Sequence, residues 1–407
     1  MMMKKCGIVV GAVLGLFVLA GALASAAEKD SAPRKAHKAV VQANTEFALD
    51  LFQKLRTEKG NLFICPHSIS TAMTMVLAGA RGSTEKEIAA ALKQDIKGDA
   101  LNKAFHELET KLNEACGKDN QLMTANALCL TDGDVSAEYK GLLREFYNAE
   151  VFKGELAQIN QWVSKKTQGK IKEILKKLHR NSVCVLLNAV YFKGVWAVEF
   201  DKKKTHDSKF TLATGKKNKV RMMYIKSSFR QCSRKNCSVI EIPYKEKNLS
   251  MLVLLPDSHD SLDKLEKSLD LTMIQDVFSN LKKARQGKVN LFLPRFKIKS
   301  HLMDLVPALK SLGIKDAFQL GKADFEGMGW PKGKLAINQV KHRAVVEVNE
   351  QGTEAAGATA VEMFKRDAKP KTPVFRADHP FLFLIREKST GAVLFLGRFT
   401  GQGSLMR

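Results

Sequence analysis

Lys365-Arg366-Asp367 places two cations and a carboxylate at the head of a run that continues through Lys369-Pro370-Lys371-Thr372-Pro373. Prolines at that spacing hold the chain extended and open to solvent, so the basic pair forms an accessible tip. The stretch leading into it, Glu350 to Met363, reads at period two. Thr353, Ala355, Gly357, Thr359, Val361 and Met363 share one face, all small or apolar, while Glu350, Glu354 and Glu362 take the other. Neither a charge nor a proline falls on the first face. Such a segment can be buried in mid-sheet without stranding a charge or losing a ladder donor. Propensity alone leaves it ambiguous, because the alanines and glutamates favour helix while Gly352, Gly357 and the threonines oppose it.

Catalytic signatures are missing. There is no G-x-S-x-G elbow, G-x-x-x-x-G-K-[ST] loop, H-E-x-x-H helix or C-x-x-C pair. His106-Glu107 begins like a zinc helix, but Thr110 stands where the second histidine belongs. The reading is a non-enzyme with no metal and no cofactor of its own.

The elements that must carry the Glu350–Pro373 stretch are helical first and strand-rich later. From Ala39 to Lys59 apolar residues recur at helical spacing, with Phe47, Leu51 and Leu55 on one stripe. A second helix is predicted from Pro66 to about Gly79, and a third from Thr84, where Thr84 and Glu87 suit a capping box; the chain stays largely helical to Cys116. Val183 to Phe192 is too apolar for an edge strand. Val239–Tyr244, Leu249–Leu255, Val289–Leu293, Ala344–Val348, Phe381–Ile385 and Val393–Phe399 are further β-rich runs. The class is α+β.

Met1 to Ala27 has the three parts of a secretory signal: Lys4 and Lys5, an apolar core from Gly7 to Ala20, and the small residues Ala24-Ser25-Ala26. A secreted, extracellular protein is expected, with residues 28–407 as one domain and no membrane span. The chain carries 66 Lys and Arg against 42 Asp and Glu, a net of +24 that becomes +22 without Lys4 and Lys5. That surplus favours extracellular polyanions such as heparin and heparan sulfate, or acidic protease surfaces. Its densest groups are Lys170 to Arg180, Lys202 to Lys204, Lys216 to Arg221 and Lys282 to Lys288, any of which is also compatible with a simple solvated face. No aromatic groups interleave with them, which argues against nucleic acid. Of the cysteines, Cys232 and Cys237 flank Ser-Arg-Lys-Asn between two strand-like runs, where a bridge needs Cα atoms within about 7 Å; Cys65 and Cys184 read as small buried hydrophobes. Asn236 and Asn248 open N-x-S sequons and are glycosylation candidates.

Glu350 to Thr359 resembles the reactive-centre hinge of the serpins, E-x-G-T-E-A-A-x-A-T, residue by residue through Glu350, Gly352, Thr353, Glu354, Ala355, Ala356, Gly357, Ala358 and Thr359. Asn61-Leu-Phe-Ile-Cys-Pro-His-Ser68 and Leu187-Asn-Ala-Val-Tyr-Phe-Lys-Gly-Val-Trp196 resemble two further family motifs. Ile242-Pro-Tyr244, Ser250-Met251 with Leu255-Pro256, and Asp378-His-Pro-Phe-Leu-Phe383 follow in family order. The resemblance implies three β-sheets, a large central sheet A among them, with eight to nine helices and an exposed reactive-centre loop at about 350–373. It implies a monomeric suicide inhibitor: a serine protease cleaves the loop, an acyl-enzyme forms, and the loop inserts into sheet A before hydrolysis is complete. Counting from Gly352 places the reactive bond at Arg366-Asp367 and makes trypsin-like proteases the expected partners. A slip of one residue offers Lys365, and a slip of two offers Phe364 to chymotrypsin-like enzymes.

The same resemblance assigns Ser68, Asn188 and His342 to a cluster under the strands that must part, and Trp196, Arg295 and Glu350 to the place where the loop enters, with an Arg295–Glu350 ion pair. A sulfated glycosaminoglycan would act as accelerator rather than cofactor. Secretion with an arginine bait resembles secreted arthropod serpins, including those of tick saliva, for which host proteases of coagulation and inflammation are targets. Three departures stand out: Cys65 in place of a serine, a shortened stretch over 151–158, and a C-terminus without the usual proline motif. The rival reading is a non-inhibitory serpin acting as a binding or carrier protein; the small hinge residues argue against it.

Overall fold

The computed structural model describes residues 35–178, 182–246, 248–300, 302–352 and 372–401. Among these, nine helices run in chain order: α1 (35–55), α2 (Pro66–Gly79), α3 (Gly82–Ala91), α4 (Gly98–Cys116), α5 (Ala137–Tyr147), α6 (Leu156–Lys166), α7 (Leu262–Lys267), α8 (Leu271–Lys283) and α9 (Val306–Ser311). One strand network has the order β1 (Leu62–Ile64), β15 (Val393–Phe399), β14 (Phe381–Glu387), β8 (Leu249–Pro256), β7 (Cys237–Pro243), β6 (Lys217–Arg234), β9 (Gly287–Pro294), β13 (Val374–Arg376), with β5 (His206–Thr211) also on β6. The other runs β10 (Phe296–Lys299), β12 (Ile337–Val348), β4 (Cys184–Lys193), β2 (Gln121–Leu130), β3 (Glu150–Lys153), with β11 (Met303–Asp304) on β12. β6 explains how three expected sheets become two networks. Its residues 217–229 pair with β5 and β9, while residues 230–234 pair with β7, so one long strand joins two sheets.

α2 is apolar nearly all round and almost wholly buried, as a helix must be when it is sandwiched between layers. It packs on β15 on one side and on β4 and β2 on the other. β4 is therefore buried on both faces: Cys184, Leu186, Val190 and Phe192 join the main core with α2, whereas Val185, Leu187, Ala189 and Tyr191 join a smaller core with Ile159 and Val163 of α6. The near-continuous apolar run of β4 follows from that double burial.

Several sequence expectations shift. α3 starts at Gly82, with Arg81 as its N-cap and no side-chain cap, so Thr84 and Glu87 form no capping box. Both reach across the chain instead, Thr84 Oγ1 accepting from Asp324 N and Glu87 Oε2 from the Lys315 and Asp316 amides. Helices α5 to α9 lie between the β-rich runs and were not placed individually by periodicity. Cys232 and Cys237 are free: the β6–β7 register sets Cys232 opposite Val239 and Cys237 opposite Arg234, two positions out of step for a direct cross-strand bridge. Despite the shortened stretch, β3 and α6 are both present, joined through Gly154-Glu155.

Candidate functional site

β12 and β4 run parallel at the centre of their sheet, flanked by the antiparallel pairings of β10 with β12 and of β2 with β4, with β3 parallel to β2 at the edge. The register brings Asn126 of β2 opposite Asn188 of β4, and Asn188 opposite His342 of β12, in one row across three strands. All three side chains point toward α2. Asn188 Nδ2 donates to Ser68 O (3.1 Å) and is within reach of Ser68 Oγ and Asn126 Oδ1. His342 Nε2 accepts from the backbone amide of Cys65 (3.3 Å), which leaves Nδ1 as the protonated nitrogen that donates to Asn188 Oδ1 (2.6 Å). The imidazole must be neutral for both bonds to exist. Burial pushes its pKa down from 6.5 to about 3, so geometry and electrostatics agree. The Cys65 thiol, fully buried, is pushed well above its ordinary range by desolvation and is inert as a nucleophile.

A second polar group closes the far end of the same seam. Trp196 stacks on Tyr244 with ring centroids 4.6 Å apart. Its Nε1 donates to Asn349 O (2.9 Å), and its backbone amide donates to Gln351 O (3.0 Å). Glu350, 3% exposed, accepts from Thr205 Oγ1 at 2.7 Å. Arg295 Nε lies 3.6 Å from Glu350 Oε2, an ion pair longer than a hydrogen bond.

At this end the chain reverses. Asn349 N donates to Gly352 O (2.8 Å) and Gly352 N to Asn349 O (3.2 Å), a tight turn in which Gly352 also bridges Val195 beyond β4. Gly352 has φ +136°, and a Cβ there would sit 2.0 Å from Gly194 O and 2.7 Å from Val195 Cα. Only glycine fits between the two strands.

The structure thus brings together Ser68, Asn188 and His342 at mid-sheet, and Trp196, Arg295, Glu350 and Gly352 at the rim. Thr353, Glu354, Ala355, Ala356, Gly357, Ala358 and Thr359 lie outside the described residues, as do Phe364, Lys365, Arg366 and Asp367, Arg180 and the signal-like segment 1–27. Asn236, in the β6–β7 turn, and Asn248 are exposed. Asn126, Thr205 and Asn349 were missed, and Tyr244 entered only as part of the Ile242-Pro-Tyr244 motif, without a role. For Asn126 a signal existed, as the polar residue in the apolar run Ala125–Leu130; for the rest only tertiary contact reveals the role.

A family model described as serpin (serine protease inhibitor) matches residues 42–401. The chain belongs to the serpin family. Human Serpin B8 is 39% identical to this serpin over 378 residues, covering 88% of this chain and 98% of that one. Among solved structures, the thermophilic serpin tengpin in its native state has a TM-score of 0.81 at 29% identity, covering 88% of this chain and 93% of its own. Native protease nexin-1 with heparin has a TM-score of 0.80 at 27% identity, with 89% and 99% coverage. The β12–β4 seam is closed in this serpin, and the two polar groups are the contacts that hold it at mid-height and at the rim.

Proposed function

We propose that this serpin is a secreted, monomeric trap for trypsin-like serine proteases. The protease serine attacks the Arg366 carbonyl, the Arg366–Asp367 bond breaks with Asp367 leaving as the new N-terminus, and an ester joins the Arg366 carbonyl to the protease. Loop insertion then outruns hydrolysis.

The observation that carries this reading is the reversed hinge at the end of a parallel seam. A strand continuing from Gly352 down the seam would be antiparallel to both neighbours, replacing one parallel pairing by two antiparallel ladders, which pair slightly better per residue. Register follows from the bridges already made. Gly352 stands opposite Asn349 on one side and Val195 on the other; in a strand continuing from it, Thr359, seven residues further on, would come level with His342 and Asn188, themselves partners across the seam. A small hydroxyl residue is then the one delivered to the polar row, and it can exchange hydrogen bonds with both. In such an inserted strand the same phase would turn Thr353, Ala355, Gly357 and Val361 toward the α2 side and Glu354 and Glu362 away from it.

Arg366 supports a trypsin-like target because an acidic pocket base pairs with a guanidinium through directed hydrogen bonds. Secretion is supported by the charged, apolar and small-residue parts of residues 1–27, and a sulfated polyanion partner by the net positive charge. Incubation with trypsin, followed by denaturing electrophoresis and intact mass, tests the proposal. A covalent band at the summed mass and a released peptide starting at Asp367 are expected. Clean cleavage without that band overturns the trap and favours a carrier role; a covalent band formed with chymotrypsin and not with trypsin, with a released peptide starting at Lys365, moves the bait to Phe364 and the target to chymotrypsin-like enzymes.

A further inference from the structure

The two N-x-S sequons sit in unlike places. Asn248 lies just before β8, where its carbonyl accepts from Lys388 N (2.9 Å). Asn236 is the second residue of the two-residue turn that joins β6 to β7, closed by the Arg234–Cys237 pair. Its neighbour Cys237, the middle residue of the sequon, is a free thiol. Asn236 forms part of the wall of a cavity of about 250 Å³ between this turn and the junction of α7 with α8. That is below the ~300–1,000 Å³ of sites for drug-sized ligands, a size for one sugar ring rather than a chain of them.

The cavity has an apolar floor and a polar rim. Cys237 and Leu265 are 1% exposed and Met273 9%, whereas Ser268, Asp270 and Thr272 are open to solvent. Asp270 caps α8 through Oδ1, which accepts from Met273 N (2.7 Å), and its second oxygen can accept from a ligand. Ser268 Oγ donates to Leu265 O (2.9 Å), so its lone pairs also face outward bonding. A pyranose has the same division, with C–H bonds on a ring face and hydroxyls and an N-acetyl group around its edge. The hexosamine that begins an N-linked glycan therefore matches the cavity, and the residue that bears it is already in the wall. A sugar so tethered docks intramolecularly, so modest contacts suffice to hold it.

We propose that Asn236 carries an N-linked glycan whose first N-acetylglucosamine seats in this cavity and fastens the β6–β7 turn to the α7–α8 junction. The inference rests on the secretion reading above, since the donor, an oligosaccharide on a polyprenyl diphosphate, belongs to the secretory pathway. Asn236 Nδ2 bonds to the anomeric carbon of that sugar as the carbon–oxygen bond to the diphosphate breaks; Nδ2 gives up one proton and the polyprenyl diphosphate leaves. The link is neutral and keeps one N–H on the nitrogen.

The test expresses the full chain, residues 1–27 included, in animal cells restricted to high-mannose glycans, and reads glycopeptide masses at Asn236 and Asn248. Sugar is expected on Asn236. An endoglycosidase that leaves one N-acetylglucosamine gives a stub form, and Asn236→Gln gives the bare form. Hydrogen exchange of amides 268–273, on the opposite wall, should be about threefold slower or more in both the full and the stub forms than in the bare one. Thr272→Trp fills the cavity from its rim; it should keep the sugar on Asn236 while bringing sugar-bearing and bare exchange rates within about 1.5-fold. A secreted protein with Asn236 bare overturns the inference and leaves secretion standing, whereas protein retained in the cell with both sequons bare overturns both. Protection that needs the whole glycan, or that persists undiminished in Thr272→Trp, overturns the docking.

Discussion

The mid-sheet row and the rim close the same β12–β4 seam with different chemistry. At mid-sheet, Ser68, Asn126, Asn188 and His342 are neutral, almost fully buried and joined only by hydrogen bonds. At the rim, seven residues along β12's line and so about 23 Å away, the fastening includes a carboxylate and a guanidinium, and the Arg295 side chain keeps 26% of its surface in water. A buried neutral bond can be exchanged for another neutral partner at small net cost. Parting a fully buried ion pair strands a charge and costs about 3–5 kcal/mol. Under the proposed loop insertion, the seam would part across hydrogen bonds at its dry centre, and the partly solvated Arg295 guanidinium sits at the rim.

Substitutions separate the two levels, and the largest effect is expected at the rim turn. Gly352→Val brings a side chain into backbone atoms of the β4 line; the variant should be cleaved by trypsin with no covalent band on denaturing gels. Undiminished trapping would show that the turn plays no part in directing insertion. His342→Ala leaves the Cys65 amide and Asn188 Oδ1 without their mid-sheet partner and should cost about 2–4 kcal/mol of native stability, measured by denaturant unfolding. Acid sharpens the contrast. The unfolded chain protonates this histidine near pH 6.5 while the folded one does so near 3, so its contribution is complete above pH 6.5 and falls by about 1.4 kcal/mol per pH unit down to about pH 3. The gap between the parent and His342→Gln should narrow over that window, and a constant gap would count against a neutral buried imidazole. Arg295→Glu sets two carboxylates face to face at the rim and should raise spontaneous polymerisation on warming, followed by native gels, with mid-sheet stability little changed. Cys65→Ser should be the mildest, within about 1 kcal/mol: the mid-sheet bond from residue 65 comes from its backbone amide, and the side chain only exchanges one small buried group for another.

The polar residues of the seam were legible to unequal degrees. Pro66 and the small residues to Gly79 mark α2 closely because proline is favoured at the first helical position. Val183 to Phe192 announced a strand buried on both faces by its lack of alternation. The period-two face of residues 353–363 is visible in the sequence alone, since it depends only on where charges and prolines fall; those residues lie outside the described ones. Thr84 and Glu87 misled because a capping box and a pair of long-range acceptors use the same side-chain groups, and only the backbone decides between them. Cys232 and Cys237 misled for a related reason: sequence separation says the two are near, but strand register decides whether they face each other.

Local chemistry, read along the chain, was enough for the α+β class, the order of the family motifs and the basic surplus, because each depends on residue type and short spacing. The tautomer of His342, the row from Asn126 to His342, the turn that leaves room only for glycine at 352, and the hydrogen bonds from Arg221 to Thr205 and from Thr205 to Glu350 depend on strands and helices distant in sequence arriving in a particular register. Register is set by the summed burial of two faces and by the turns that connect them, and no single stretch of sequence contains that sum.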